Sequence, residues 1–147
     1  LRVGADRSKI RAAWTRALEL NPGNAKALRG LGGLEAAEGK ADAALALYRR
    51  AALAEPDDGE ALGRAAAILI AEGRFPEAKL ELERLLERDP YDGGAALQLA
   101  ELLLRDKAGS AQPRTRALLR KAERFGGGSE ASRLLSALTE PEPAQAL

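Results

Sequence analysis

Apolar residues along this chain recur at helical spacing. Between residues 7 and 20, for example, Ile10, Trp14, Ala17 and Leu18 fall on one face of a helix. The same three-and-four spacing returns in later segments, which are separated by short turns containing Gly, Pro, Asn or Asp. The pattern predicts about eight helices up to residue 138 and no strand within residues 6–125.

Polar and glycine residues at the ends of these segments predict where each helix begins and ends. Residues 1–6 are expected to be a lead-in, with Asp6 or Ser8 capping the first helix. The later predicted N-caps are Asn24, Asp58, Asp92 and Ser129. Gly39 and Gly73 are predicted to end helices in the left-handed conformation, and Pro113 is predicted to open the seventh helix.

The apolar pattern repeats with a fixed step. Three prolines stand 34 residues apart, at Pro22, Pro56 and Pro90. A series of large residues keeps the same step, at Trp14, Tyr48 and Leu82. Such a period indicates a repeat array, in which each helix pair buries its apolar faces against its neighbours. Trp14 is therefore expected to be largely buried between successive pairs.

These positions resemble the tetratricopeptide repeat family, whose signature is W-x2-L-G-x2-Y, then A-x3-F, then P. One repeat carries Leu28, Leu31, Gly32, Ala44, Tyr48, Ala51 and Pro56, although Glu35 replaces an aromatic residue. The next carries Leu62, Ala65, Ala66, Leu69, Ala78, Leu82, Leu85 and Pro90. The resemblance implies an all-α fold, an α-solenoid of antiparallel helix pairs in a right-handed superhelix.

The repeat register also predicts the domain boundaries. Residues 1–22 are expected to be the second helix of a truncated repeat, followed by complete repeats at 23–56 and 57–90. Residues 91–127 form a divergent repeat with an insertion, 128–139 a capping helix and 140–147 a disordered tail. Because the chain starts inside a repeat and without Met, we interpret it as a fragment or a processed product.

The composition argues against catalysis by this chain. It contains no His and no Cys, which removes the commonest general base and the thiolate ligands of metals. Gly30 to Gly33 and Gly39-Lys40 depart from the spacing of phosphate-binding loops. We therefore expect no enzyme activity, no cofactor and no metal site.

The nearly balanced charge gives no reason to expect a nucleic-acid or membrane partner. The chain has 23 basic and 22 acidic residues, a net charge of +1. The carboxylates of Glu77, Glu81, Glu83 and Glu87 are expected on a solvated helix face. The basic stretch from Arg114 to Arg124 is expected to be a solvated face too, with a docking patch for an acidic partner as the alternative.

The family resemblance implies that the first helix of each pair lines a concave groove that binds a peptide or helix of a partner protein. The predicted groove residues are Lys26, Arg29, Gly33, Arg64, Ala67, Ile70, Gln98 and Glu101. A regulatory or substrate-positioning segment of a larger enzyme, or part of a bacterial envelope assembly or export machine, is the alternative. Self-association is possible, and the location stays open between bacterial cytoplasm and periplasm.

Overall fold

The computed structural model describes residues 2–106 and 112–139. This part of the chain contains only helices and turns, which confirms the predicted all-α helical repeat class. The helices are α1 (Arg2–Leu20), α2 (Ala25–Ala37), α3 (Ala41–Ala54), α4 (Glu60–Ala71), α5 (Phe75–Arg88), α6 (Gly93–Leu104), α7 (Pro113–Phe125) and α8 (Gly128–Thr139).

Two compact units divide the chain inside α5. In the N-terminal unit (residues 1–84), α2 packs against both α1 and α3, and α3 packs against α4. In the C-terminal unit (residues 85–147), α7 packs against both α6 and α8. Because short turns join α1 to α2, α2 to α3 and α3 to α4, these consecutive helices run antiparallel.

Small side chains allow the helices of the N-terminal unit to approach closely. A Cβ atom added to Gly32 of α2 would lie 2.9 Å from Cε1 of Tyr48 on α3. On the same helix, a Cβ added to Gly30 would lie 2.4 Å from Cε2 of Trp14 on α1. Both distances are too short for two carbon atoms, so each aromatic ring occupies the space that a glycine leaves empty.

Trp14 lies between the buried and the exposed residues in accessibility, so the expectation of a largely buried ring is met only in part. Its repeat equivalent Tyr48 is 2% exposed, because it meets Gly32 of the preceding helix and interacts with Arg64 of the following one. The contact found for Trp14 is with Gly30 of the following helix, α2. Part of the indole remains exposed.

Most of the predicted helix ends are confirmed. The backbone N–H of Ala27 donates to Oδ1 of Asn24 at 3.0 Å, and that of Ala95 donates to Oδ1 of Asp92 at 2.8 Å. Gly39 and Gly73 follow their helices with positive φ values of 76° and 72°. The glycines adopt this left-handed conformation because they lack the Cβ that would strain it.

Three predicted starts are wrong. α1 begins at Arg2, so residues 2–6 of the predicted lead-in are helical, and Asp6 and Ser8 lie inside the helix. The first turns contain no Pro, and a single interior Gly costs only about 1 kcal/mol. Ser129 also lies inside its helix, since α8 begins at Gly128.

The third wrong prediction of a helix start concerns Asp58, which is not the N-cap of α4. Gly59 takes that position, and Oδ1 of Asp58 accepts the N–H of Glu60 at 2.9 Å. The other carboxylate oxygen of Asp58 binds Arg29, and this second partner helps to hold the carboxylate in the turn before the helix.

The boundaries predicted for the individual repeats remain a prediction, because the positions of the helices do not show where one repeat ends and the next begins. The insertion predicted in the third repeat belongs to the connection from Asp106 to Gln112, most of which is residues 107–111. These residues and the predicted tail at 140–147 lie outside the described part of the chain.

Ion pairs connect α3 to α5 within the N-terminal unit. Arg74 donates to Asp42 at 2.8 Å and to Glu77 at 2.8 Å, and this arginine holds the pKa of Glu77 below its usual value. Arg49 donates from Nε to Oε1 of Glu81 at 3.0 Å, and Arg84 lies 3.3 Å from Oε2 of the same carboxylate. Two helices of successive repeats are thereby linked through charged side chains.

Glu81 is 2% exposed, so the prediction of a solvated face is wrong at this residue. The equivalent residue one repeat earlier is Leu47, which is half-buried on α3. A carboxylate can occupy such an apolar position because two guanidinium groups balance its charge.

We predict opposite effects on stability for replacing Arg49 and for replacing Glu81. Arg49→Ala leaves a buried carboxylate with one partner fewer and is expected to lower the free energy of unfolding by about 1–3 kcal/mol. Glu81→Leu, which restores the residue of the preceding repeat, is expected to be neutral or stabilising. Urea unfolding of both variants measures this, with exposed Arg50→Ala as the control. A loss in Glu81→Leu larger than that in Arg49→Ala would contradict the interpretation.

A second prediction concerns the glycine beneath Trp14. Gly30→Ala places a methyl group where the indole ring now lies, and it is expected to displace the ring and lower the unfolding free energy by about 1–3 kcal/mol. Gly33→Ala is the matched control, because its Cβ would lie an ordinary 3.6 Å from the Tyr48 hydroxyl. Since Trp14 is the one tryptophan of the sequence, its fluorescence should shift in Gly30→Ala alone. Identical spectra and stabilities in the two variants would disprove the close contact.

Candidate functional site

A groove of about 380 Å³ lies among α1, α2 and α4 of the N-terminal unit. Helix α1 contributes Trp14, and helix α4 contributes two charged residues. Helix α2 contributes four residues at its exposed surface. The complete lining is Trp14, Lys26, Arg29, Gly30, Gly33, Glu60 and Arg64.

Two glycines, Gly30 and Gly33, leave the α2 side of the groove with few side-chain atoms. Gly30 lies under the edge of the Trp14 ring, as its close Cβ distances show. Gly33 follows one turn later, and the nearest atom to a Cβ added there is the hydroxyl of Tyr48, at 3.6 Å. The groove therefore exposes helix backbone between an indole ring and a tyrosine hydroxyl.

Arg29 is held by carboxylates of the protein itself. Its guanidinium contacts Asp58 at 2.5 Å and Glu55 at 3.2 Å in the turn before α4, and Glu60 at 3.5 Å at the start of α4. The side chain is 17% exposed. Because three acidic groups surround it, Arg29 fixes the α3–α4 turn against α2, and little of its charge is left for a ligand.

Arg64 is paired more loosely. Its Nε donates to Oε1 of Glu60 at 2.9 Å, one helical turn away. This hydrogen bond to Glu60 raises the pKa of Arg64, and the hydroxyl of Tyr48 contributes in the same direction. More than half of the side chain is exposed. The guanidinium thus lies at the edge of the groove with donors still facing solvent.

Lys26 differs from both arginines. It is exposed on α2 at the groove, and among the described residues its ammonium group has no carboxylate partner. A carboxylate or carbonyl oxygen entering the groove would therefore meet Lys26 without first displacing another group.

The predicted groove residues are only partly brought together. Lys26, Arg29, Gly33 and Arg64 share the groove. Ala67 and Ile70 lie further along α4, exposed and half-buried respectively, and do not line it. Gln98 and Glu101 lie on α6 of the C-terminal unit.

Sequence reasoning missed one wall of the groove. Trp14 lines it, although the repeat pattern placed this residue in a buried interface. The repeat register did not reveal this, because Tyr48 and Leu82, the repeat equivalents of Trp14, are both buried.

Two kinds of feature are absent from the part of the chain that the structure describes. Across residues 2–106 and 112–139, no three His, Cys, Asp or Glu side chains are grouped as metal ligands would be. Within the same ranges no helix combines the length and the apolar character needed to cross a bilayer.

Comparison with solved structures supports the fold. The crystal structure of MamA superposes with a TM-score of 0.71 and 15% identity, covering 93% of this chain and 79% of MamA. YrrB, a TPR protein with an unusual peptide-binding site, gives a TM-score of 0.70 and 20% identity, covering 86% of this chain and 64% of YrrB. This chain therefore spans less than two thirds of the length of YrrB.

A third similar structure is the Yersinia enterocolitica type III secretion chaperone SycD, in complex with a peptide of the translocator YopD. It gives a TM-score of 0.65 and 18% identity, covering 77% of this chain and 90% of SycD. At these identities the similarity establishes the fold. No curated protein matches the chain significantly in sequence.

The family assignment comes from the sequence of the central repeats. Residues 35–90 match the family model of the tetratricopeptide repeat. This range contains α3, α4 and α5, with the small and large residues that set the helix crossings. Residues 35–90 therefore belong to the tetratricopeptide repeat family, and the resemblance predicted from the sequence is confirmed.

Proposed function

We propose that this chain is a non-enzymatic scaffold that binds a peptide or helix of a partner protein in the groove among α1, α2 and α4. The observation that carries the proposal is the juxtaposition of Gly33, the half-buried ring of Trp14 and Lys26, which has no carboxylate partner in the described part of the chain. Exposed helix backbone admits the close approach of another chain, while the ring offers apolar contact area.

The groove offers complementary contacts for a polypeptide. Lys26 and the exposed donors of Arg64 provide charge-assisted hydrogen bonds to carbonyl or carboxylate oxygens. An apolar side chain of the partner would lie against Trp14, as in groove recognition of peptides elsewhere. The shallow, open form suits a segment that lies along the surface.

The comparisons agree with this kind of function. YrrB is a TPR protein with a peptide-binding site, and SycD was crystallised with a peptide of YopD. Ala67 and Ile70 would extend the groove along α4. Gln98 and Glu101 hold the same repeat positions as Arg64 and Ala67, each 34 residues later, and they stay predicted groove residues.

The proposal predicts that filling the groove abolishes binding and leaves the fold intact. Gly33→Leu places an isobutyl group over the exposed backbone, where the nearest side-chain atom to the new Cβ is 3.6 Å away. Replacing an interior helical Gly also favours the helix by roughly 0.5–1 kcal/mol. We therefore expect unchanged or increased stability with loss of binding.

The test uses peptides selected from an unbiased display library on the immobilised parent protein. Calorimetric titration of the selected peptides should show at least tenfold weaker binding to Gly33→Leu, which corresponds to about 1.4 kcal/mol. Ala43→Leu, at an exposed position of α3, is the matched control and should bind like the parent. Equal affinities in all three proteins would contradict the proposed site.

A further inference from the structure

Helix α7 in the C-terminal unit separates apolar and basic side chains onto opposite faces. Its buried residues are Thr115, Leu118, Leu119 and Ala122. On the opposite face, Arg116, Arg120 and Arg124 follow each other at intervals of four residues, and all three are exposed. At 1.5 Å per residue, they form a line with a spacing of about 6 Å and a length of about 12 Å.

These arginines differ from most arginines of the N-terminal unit in having no carboxylate partner among the described residues. Arg116 donates to the backbone carbonyl of Leu138 at 3.1 Å. Arg124 lies over the ring of Phe125, with its Cζ 5.4 Å from the ring centroid. Arg120 has no partner within the described ranges, and neighbouring Glu123 accepts a hydrogen bond from Ser132 on α8.

In the N-terminal unit, most arginines form an ion pair with a carboxylate. Seven arginines of that unit contact Asp or Glu side chains: Arg11, Arg16, Arg29, Arg49, Arg64, Arg74 and Arg84. The charges of Arg116, Arg120 and Arg124 are not balanced in this way by carboxylates of the described residues.

An exposed aromatic pair lies at the C-terminal end of the same line. The rings of Tyr91 and Phe125 meet edge to face, with centroids 5.0 Å apart. They remain 68% and 39% exposed. The guanidinium of Arg124 lies beside them, so charge and apolar surface are adjacent at this end of the helix.

We propose that this face of α7 docks an acidic helical segment of a partner protein. Carboxylates at positions i, i+4 and i+8 of the segment would pair with Arg116, Arg120 and Arg124, since both helices share the spacing of about 6 Å. An apolar residue one turn further on would contact Tyr91 and Phe125. Planar guanidinium groups suit carboxylates because they can donate two parallel hydrogen bonds.

The distribution of charge favours a short acidic segment over a larger polyanion. Residues 85–147 contain nine basic and nine acidic residues, so the C-terminal unit has no overall positive charge to attract DNA or an anionic bilayer. A narrow line of three arginines matches one helix face. This docking surface is separate from the groove among α1, α2 and α4.

The test is an NMR titration of the isotopically labelled protein at low ionic strength. The probe is an alanine-based helical peptide with Glu at i, i+4 and i+8 and Leu at i+12. A control peptide has the same composition with the Glu residues spread around the helix. We expect saturable shifts in α7 and at Tyr91 with the probe, and binding at least tenfold weaker with the control peptide, about 1.4 kcal/mol.

Paired variants separate the arginine line from general positive charge. Arg120→Ala with Arg124→Ala should weaken binding of the probe at least tenfold. Arg7→Ala with Arg50→Ala removes the same charge from exposed positions of α1 and α3 and should change the affinity less than about twofold.

Several results would overturn the proposal. They are equal binding of the two peptides, equal effects of the two double variants, or no shift at millimolar probe. Shifts confined to the groove residues Lys26 and Gly33 would also overturn it, and would leave the proposed groove function standing. Tighter binding of α7 to phosphatidylserine vesicles or duplex DNA than to the probe would assign the face to a polyanion instead.

Discussion

The N-terminal unit depends on the close contact of helix α2 with one aromatic ring on each side. Gly32 admits the ring of Tyr48 from α3, and Gly30 admits the ring of Trp14 from α1. A methyl group at either glycine would overlap ring atoms, so helix spacing and ring position are set together. Around these contacts the core is filled by alanine and leucine.

The same contacts create the surface proposed to bind a partner. A glycine that accommodates a ring leaves helix backbone uncovered next to that ring, and Gly33 extends this uncovered strip by one turn. Tyr48, which fills the next interface, presents its hydroxyl toward Arg64. Arg29 then ties the turn before α4 to α2 through three carboxylates. The groove is thus a product of the packing rather than an addition to it.

Much of the fold could be predicted because its determinants are local. The 34-residue period, the capping residues Asn24 and Asp92, and the left-handed Gly39 and Gly73 are all visible in the sequence. Glu81 could not be placed, because its burial depends on Arg49, which lies 32 residues earlier in the chain. Local charge patterns resemble a solvated face whether or not a distant arginine compensates the carboxylate.

The candidate site was predicted less completely for a similar reason. Periodicity places Lys26, Arg29, Gly33 and Arg64 on the same helix faces, and these four do share the groove. Periodicity does not reveal which charged residues are already paired, and so it did not distinguish Arg29 from Lys26. It assigned Trp14 to a buried interface by analogy with its repeat equivalents Tyr48 and Leu82, which are both buried, whereas Trp14 is half-buried.

Collisional quenching of Trp14 fluorescence tests the central claim most directly, since the sequence contains one tryptophan and its half-buried ring forms a wall of the groove. In the free protein, acrylamide should quench this emission with an efficiency between those of buried and fully exposed indoles. Saturation with a library-selected peptide should reduce the quenching constant, because the peptide covers the open face of the ring. Unchanged quenching at full saturation would show that the peptide binds elsewhere and would contradict the account of the groove.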